Sequence, residues 1–153
     1  MIRISIALLC LLGNLLAFSQ NEVVQYDSVL AKSLVADDLG MKSYIFVILE
    51  TGNATIQDKA ILDSIFAGHF KNINSLSDSG YLVLAGPYRK NDLGYRGLFI
   101  LNTDSEEQAR KWIERDPTVR SNYFKVEYIP WYGSAALPAL LPIHRKISKQ
   151  RPK

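Results

Sequence analysis

Residues 42–50 read KSYIFVILE, and the six consecutive apolar side chains of this stretch leave it without a polar face. A strand that has one face in water alternates apolar and polar residues, whereas a strand that is covered on both faces does not. The stretch therefore predicts the central strand of a sheet, with other parts of the protein packed on each of its two faces.

The chain beyond this strand switches between helical and strand periodicity. Residues 56–79 place four apolar side chains and one histidine on a single helical stripe, namely Leu62, Phe66, His69, Ile73 and Leu76. Gly80 is expected to end this helix. Thr103 and Glu106 have the spacing of a capping box, which predicts a second helix that buries Ala109, Trp112 and Ile113. Three further strands are predicted, at residues 81–85, 95–103 and 124–131.

This order of strand, helix, strand, strand, helix, strand is the split βαβ, or ferredoxin-like, arrangement of an α+β protein. Right-handed crossovers place both helices on one face of a four-stranded antiparallel sheet and leave the other face open. Because the central strand is apolar on both sides, the open face needs a cover, and a second copy of the same sheet would supply one. We therefore expect a homodimer that associates through the open sheet face.

The first nineteen residues have the features of a secretory signal peptide. A positive charge precedes an apolar run over residues 4–18, and the small residues Ala17 and Ser19 suit cleavage ahead of Gln20. The run is too short for a stop-transfer helix, and an uncleaved membrane anchor stays open as the alternative. Cleavage would remove Cys10 and leave no disulfide or thiolate site. We expect export to the periplasm or the extracellular space, with no stable membrane span after cleavage.

Two segments flank the predicted domain of residues 42–132. Residues 20–41 form an N-terminal extension, in which a short helix is expected to open at Asp27 and to bury Val29, Leu30 and Leu34. Residues 133–153 form a basic tail, because the last ten residues carry five bases and no acid in a chain whose net charge is only +3. Basic charge confined to a solvated terminus, without a groove of basic and aromatic residues, argues against a nucleic-acid or membrane partner.

Six short motifs occur in an order and at a spacing that are typical of one family. They are His69 early in a helix, Gly80 before strand two, Gly86-Pro87 at the end of that strand, Gly97 in strand three, Ala109 in the second helix and Asp116-Pro117 before the last strand. Over residues 42–132 the chain resembles the YCII-related (YciI-like) domain family of the dimeric α/β barrel superfamily. The resemblance implies a His and an Asp close together in an active-site pocket, and one relative is similar to a dehydrochlorinase of a chlorinated hydroxyquinol.

Three positions depart from the pattern of that family. Phe66 stands where an arginine often precedes the histidine, and Thr118 replaces an aromatic residue that usually follows the Asp-Pro pair. Asn122 stands where glycine is common, which is a mild change because Asn tolerates the left-handed backbone conformation. The first two departures weaken any transfer of a substrate from the family, but they do not affect the predicted fold.

His69 and Asp116 are the candidate catalytic residues. A carboxylate that is hydrogen-bonded to one imidazole nitrogen fixes the tautomer, so that the other nitrogen can act as a general base or acid. On this hypothesis the pair transfers a proton on a small cyclic or aromatic molecule, in a lyase-like or isomerase-like reaction. The candidate substrate-binding residues follow strand two: Gly86 and Pro87 would form the floor of a pocket, and Tyr88 and Arg89 would orient the substrate.

Each candidate also has a purely structural interpretation. A histidine on an apolar stripe is often a residue at the edge of the core with one hydrogen bond, and Asp116 before Pro117 has the form of a helix N-cap. The alternative to an enzyme is a non-catalytic dimeric module that binds a small molecule or serves as a structural protein. No cofactor is predicted, and two histidines without a neighbouring cluster argue against a metal site.

The distance between the two candidates sets a condition on the hypothesis. If the first helix ran unbroken from Ile56, His69 would lie roughly 20 Å from its start, at ~1.5 Å per residue. Asp116 is expected near that start. Gly68 costs ~1 kcal/mol relative to alanine inside a helix, and it predicts a break that would place His69 in the first turn of a new helix. The pair is therefore expected to form only if the chain breaks near Gly68.

Overall fold

The computed structural model describes residues 25–150 of the chain, so the predicted signal peptide at residues 1–19 lies outside the described residues. The elements are, in order, α1 (Ser28–Ser33), β1 (Met41–Thr51), α2 (Lys59–Asp78), β2 (Leu82–Pro87), β3 (Tyr95–Leu101), α3 (Glu106–Ile113), α4 (Pro117–Arg120), β4 (Phe124–Ser134), a 3₁₀ helix (Leu137–Ala139) and α5 (Leu140–Ile147). None of the helices between residues 25 and 150 is both long enough and apolar enough to cross a membrane.

The four strands form one antiparallel sheet in the order β2-β3-β1-β4. The apolar stretch of residues 42–50 lies in β1, which pairs with β3 on one side and with β4 along its whole length on the other. The ferredoxin-like α+β fold predicted from the order of the elements is therefore confirmed. The central position of β1 explains why its sequence lacks a polar face.

The main core lies between the sheet and the helices α2 and α3. It is built from alternate strand residues that face the helices and from the buried side of each helix, and it contains Ile45, Val47, Leu49, Leu76, Leu82, Phe99, Leu101, Ala109, Trp112, Ile113 and Phe124. A smaller cluster of Tyr44, Val83 and Ile100 lies on the opposite face of the sheet, where Leu137 of the 3₁₀ helix packs against it. The helices thus cover one face of β1, and Leu137 covers part of the other.

Two local predictions are wrong in detail. The cap of α3 is Ser105 rather than Thr103: the Ser105 side chain accepts a hydrogen bond from the Gln108 N–H, while Thr103 Oγ1 accepts one from the Ser105 N–H. Helix α1 does begin after Asp27, but Val29 and Leu30 are 78% and 54% exposed. Their expected burial fails because six residues offer too short a helix to pack extensively on the sheet.

The segment that follows the sheet is more ordered than the predicted solvated tail. Strand β4 continues to Ser134, and α5 packs beside β2, where Arg145 donates a hydrogen bond of 3.0 Å to Asp78 Oδ1. This segment packs on the sheet because residues 135–143 are mostly apolar: Leu137, for example, covers part of the second sheet face. The prediction of a basic tail rested on charge alone and did not take into account the apolar stretch that precedes the basic residues.

Candidate active site

Asp116 is placed by the junction between α3 and α4. It is the N-cap of α4: its Oδ1 accepts a hydrogen bond of 2.9 Å from the Thr118 N–H, and Pro117 occupies the first helical turn. The predicted N-cap is therefore confirmed. Unlike most N-cap carboxylates, that of Asp116 is fully buried, so its second oxygen also needs a partner within the protein.

That partner is His69, in the middle of α2. The distance between His69 Nδ1 and Asp116 Oδ2 is 2.6 Å, and the imidazole is only 9% exposed. An ionised carboxylate can only accept hydrogen bonds, so the proton in this contact belongs to Nδ1. In the neutral imidazole this leaves Nε2 as the acceptor, which is the nitrogen that would receive a proton from a substrate.

The pair forms without the break that the sequence analysis required. Helix α2 is continuous from Lys59 to Asp78, so the prediction of a break near Gly68 is wrong. The error lay in the expected position of Asp116. Helix α3 has 8 residues and α2 has 20, which correspond to roughly 12 Å and 30 Å. The shorter helix therefore ends beside the middle of α2, where His69 lies, and not beside its start.

Gly68 has a different role, which is to let α4 approach α2 closely. A Cβ atom added at Gly68 would lie 2.6 Å from Cγ of Pro117, the residue that follows Asp116. Real Cβ atoms do not tolerate such a distance, so any larger residue would force the two helices apart. The absence of a side chain at Gly68 therefore allows Asp116 to reach the adjacent His69.

Aromatic rings surround the imidazole of His69. Phe66 and Phe70 precede and follow it on α2, and Phe99 and Phe124 face it from β3 and β4, with ring centroids 5.4 to 6.2 Å from its own. These rings exclude water from most of the imidazole and hold its orientation. Nε2 is the ring nitrogen that has no hydrogen-bond partner among residues 25–150, although every fully buried side-chain nitrogen or oxygen there has one.

The carboxyl of Asp116 is held in its ionised form. Burial opposes ionisation and by itself would raise the pKa, but the hydrogen bond and the charge of His69 and the hydrogen bonds from Thr118 outweigh it. The net result is that the pKa of Asp116 lies below its ordinary value. A carboxylate that stays ionised near neutral pH can stabilise an imidazolium formed at His69 when that ring accepts a proton.

Comparisons with known proteins identify the family of the chain. The sequence model of the YCII-related domain matches residues 44–132, which is more than half of the chain. The chain belongs to the YCII-related domain family. One solved structure that it resembles is 5-chloro-2-hydroxyhydroquinone dehydrochlorinase from Burkholderia phenoliruptrix AC1100 in complex with 2,5-dihydroxybenzoquinone, at 17% identity and a TM-score of 0.41, over 57% of this chain and 92% of the other. No curated protein matches the chain.

The predicted substrate-binding residues of this YCII-related domain form no hydrogen bond or ion pair with His69 or Asp116 within residues 25–150. Gly86 and Pro87 end β2, and Tyr88 and Arg89 follow on an exposed loop, where the Tyr88 ring lies 5.8 Å from that of Tyr95. Their assignment to substrate binding stays a prediction.

Strand register nevertheless relates Pro87 to the candidate pair. Pro87 pairs with Gly97, Gly97 with Leu49, and Leu49 with Val126, so these residues form one row across the helix-facing side of the sheet. Phe99 and Phe124, which face His69, are each two residues from a member of this row. Because side chains two residues apart share a face, the row passes beneath the imidazole. Gly97 itself is buried, and a Cβ atom added there would lie 3.4 Å from the carbonyl oxygen of Gly86 and 3.7 Å from Cδ1 of Leu49.

Sequence reasoning missed Thr118 as a component of the site. Its side chain is fully buried and donates a hydrogen bond of 2.7 Å to Asp116 Oδ1, but it appeared in the sequence analysis only as a departure from the family pattern. A hydroxyl two residues after an N-cap aspartate is the signal that could have identified it. Within residues 25–150, no group of three or more His, Cys, Asp or Glu side chains is arranged to hold a metal ion.

Proposed function

We propose that this YCII-related protein is an enzyme that transfers protons on a small cyclic or aromatic molecule, with His69 as the general base and acid and Asp116 as its partner. The observation that carries the proposal is the 2.6 Å contact between His69 Nδ1 and Asp116 Oδ2 in a buried site, in which Nε2 has no hydrogen-bond partner within residues 25–150. The ionised Asp116 carboxylate would stabilise the imidazolium that forms when His69 accepts a proton.

The chemistry follows from the orientation of the imidazole. Nε2 would take a proton from a carbon or oxygen of the substrate, and the imidazolium would be stabilised by Asp116. In an isomerase-like reaction the same proton returns at another position. In a lyase-like reaction the electron pair of the broken C–H bond forms a double bond, while the leaving group departs with its own electron pair. Neither course requires a covalent intermediate with the protein.

The surroundings of the pair favour a flat, apolar substrate. The imidazole is enclosed by Phe66, Phe70, Phe99 and Phe124, whose faces and edges suit contact with a ring. The row that contains Gly97 and Pro87 would form the floor, and Tyr88 and Arg89 lie on the loop at the outer end of that row. A small ring bound at that outer end would lie close to Pro87, Tyr88 and Arg89.

A second function is favoured by a different observation. A cleft of about 580 Å³ lies between the C-terminal half of α2, strand β2 and helix α5, and His69 and Asp116 are not among the residues that line it. A ligand held there would contact the apolar residues Leu82–Ala85 and Ile143, at a distance from the candidate pair. The protein would then be a non-catalytic module that binds a small molecule.

Hydrogen exchange on bound ligands distinguishes the two functions. A library of small phenols, quinones and cyclic acids would first be screened by thermal shift, where ligand at about one hundred times its Kd adds roughly 2.7 kcal/mol to the free energy of unfolding. Each hit would then be incubated with the protein in D₂O, and its C–H signals would be followed by ¹H NMR. The proposal expects that the protein exchanges at least one C–H proton of a hit for deuterium.

Matched histidine variants locate the activity. His69→Gln should abolish the exchange, whereas His144→Gln, in the separate cleft beside α5, should leave exchange at the candidate pair at the parent rate. Exchange that survives His69→Gln would overturn the assignment of the base. Hits that stabilise the protein equally with and without His69, and that show no exchange, would instead support the binding module.

We also propose that the protein is exported and acts as a homodimer. Export rests on the signal-like sequence of residues 1–19, and N-terminal sequencing of the protein recovered outside the cytoplasm should begin at Gln20. The dimer rests on the apolar second face of the sheet, where Trp131 remains 37% exposed beside Tyr44 and Phe46.

A further inference from the structure

Thr118 donates hydrogen bonds to the Asp116 carboxylate oxygen that does not contact His69. Its backbone N–H and its hydroxyl both donate to Asp116 Oδ1, at 2.9 Å and 2.7 Å, while Oδ2 of the same carboxylate accepts from His69 Nδ1. The two oxygens therefore have separate partners. Because Thr118 is itself fully buried, its hydroxyl has no competing hydrogen bond to bulk water.

The hydroxyl also has a defined orientation with respect to His69. Thr118 Oγ1 lies 3.4 Å from His69 Nδ1, and its own proton is committed to the carboxylate, which can only accept. The oxygen therefore presents a lone pair toward Nδ1. A lone pair at this position favours a proton on Nδ1 and disfavours the tautomer that carries its proton on Nε2.

We propose that Thr118 is a positioning residue, which fixes the Asp116 carboxylate and thereby keeps the His69 proton on Nδ1 and Nε2 free to accept. This inference rests on the proposed function of the His69–Asp116 pair. It gives a role to a fully buried hydroxyl whose hydrogen bond to Asp116 is otherwise unexplained. Thr118 acts through Asp116 and does not itself contact the reacting atoms.

The test is to observe the imidazole directly by NMR, which needs no substrate. The chain contains two histidines, so a long-range ¹H–¹⁵N spectrum of the labelled protein shows two imidazoles, and His144→Gln assigns them. In the parent, His69 should show the tautomer with its proton on Nδ1, and that proton should exchange slowly with water. A parent spectrum with the proton on Nε2 would contradict the proposed catalytic pair itself.

Substitutions at Thr118 then test the positioning role. Thr118→Val keeps the shape and the backbone N–H but removes the hydroxyl, and it should speed exchange of the Nδ1 proton by about tenfold or more, which corresponds to 1.4 kcal/mol of lost protection. Thr118→Ser keeps the hydroxyl and should retain slow exchange. If the valine variant does not fold, Thr118→Ala replaces it in the comparison with serine. Equal exchange in the parent and in a folded variant without the hydroxyl would overturn the role of Thr118 and leave the pair intact.

Discussion

At Asp116, one carboxylate has a structural role and a candidate catalytic role because its two oxygens face different partners. Oδ1 caps α4 through the Thr118 N–H, and Oδ2 accepts from His69. The sequence alone presented these roles as alternatives. The structure shows that they coexist, so removal of the charge should be separable from removal of the cap.

Asp116→Asn makes that separation, because asparagine caps helices about as well as aspartate. The pKa of Asp116 is lower in the folded protein than its ordinary value, so the unfolded chain binds the proton more tightly. The stability that the carboxylate contributes is thus fully present above its unfolded pKa, about 3.9, and is lost as the pH falls through the folded pKa. Urea unfolding should show the parent more stable than the variant by about 1–3 kcal/mol at pH 6.

The stability difference between the parent and Asp116→Asn should narrow as the pH is lowered below about 4. Asp58→Asn is the matched control, since Asp58 caps α2 at an exposed site through the N–H groups of Ala60 and Ile61. This control should change the free energy of unfolding by only a few tenths of a kcal/mol. A difference between the parent and Asp116→Asn that stays constant from pH 6 down to about pH 2.5 would disprove the linkage.

At the level of the elements, relative helix length determines which residues meet. Apolar spacing in the sequence located both α2 and α3, and it put His69 on the buried stripe of α2. It could not show that α3 stops after 8 residues, because Glu114 and Arg115 would also fit a longer helix. The C-terminal end of α3 determines where Asp116 lies along α2. The sequence therefore identified both members of the pair, but it predicted the wrong geometry for their contact.

Gly68→Ala tests the close approach of α2 and α4. The added methyl group would lie 2.6 Å from the rigid ring of Pro117, and overpacking of this kind typically costs ~1–3 kcal/mol. Alanine gains ~1 kcal/mol over glycine in helix propensity, so we expect a net loss of about 1 kcal/mol in the free energy of unfolding. The His69 Nδ1 proton should also exchange faster, because the displaced α4 carries Asp116 away.

Ser64→Ala provides the control for Gly68→Ala on an exposed position of the same helix. It should raise stability by a few tenths of a kcal/mol through helix propensity alone. If Gly68→Ala instead stabilised the protein by the full ~1 kcal/mol, with unchanged exchange at His69, the contact between Gly68 and Pro117 could not be what brings the pair together.

For the whole molecule, the apolar run of β1 and the order of elements were sufficient to predict the fold. They predicted four antiparallel strands with both helices on one side, because apolar periodicity and crossover handedness leave few alternatives. The same reasoning could not predict how the chain after β4 returns to the sheet, since that depends on whether Leu137 finds an apolar surface. It does so on Tyr44, Val83 and Ile100, so the open face is smaller than the sequence suggested.

The part of the second sheet face around Trp131 remains available for the proposed dimer. The Trp131 ring lies 5.8 Å from that of Tyr44 and 6.4 Å from that of Phe46, so its edge extends an apolar surface that a second copy could cover.

Trp131→Arg places a charge there, and across a two-fold axis it would face its own copy. Light scattering after size-exclusion chromatography should show a dimer for the parent and a monomer for this variant. Leu93→Arg, at a 71% exposed loop position, should stay dimeric; a monomeric parent at about 10 μM, or dissociation of both variants, would contradict association through this face.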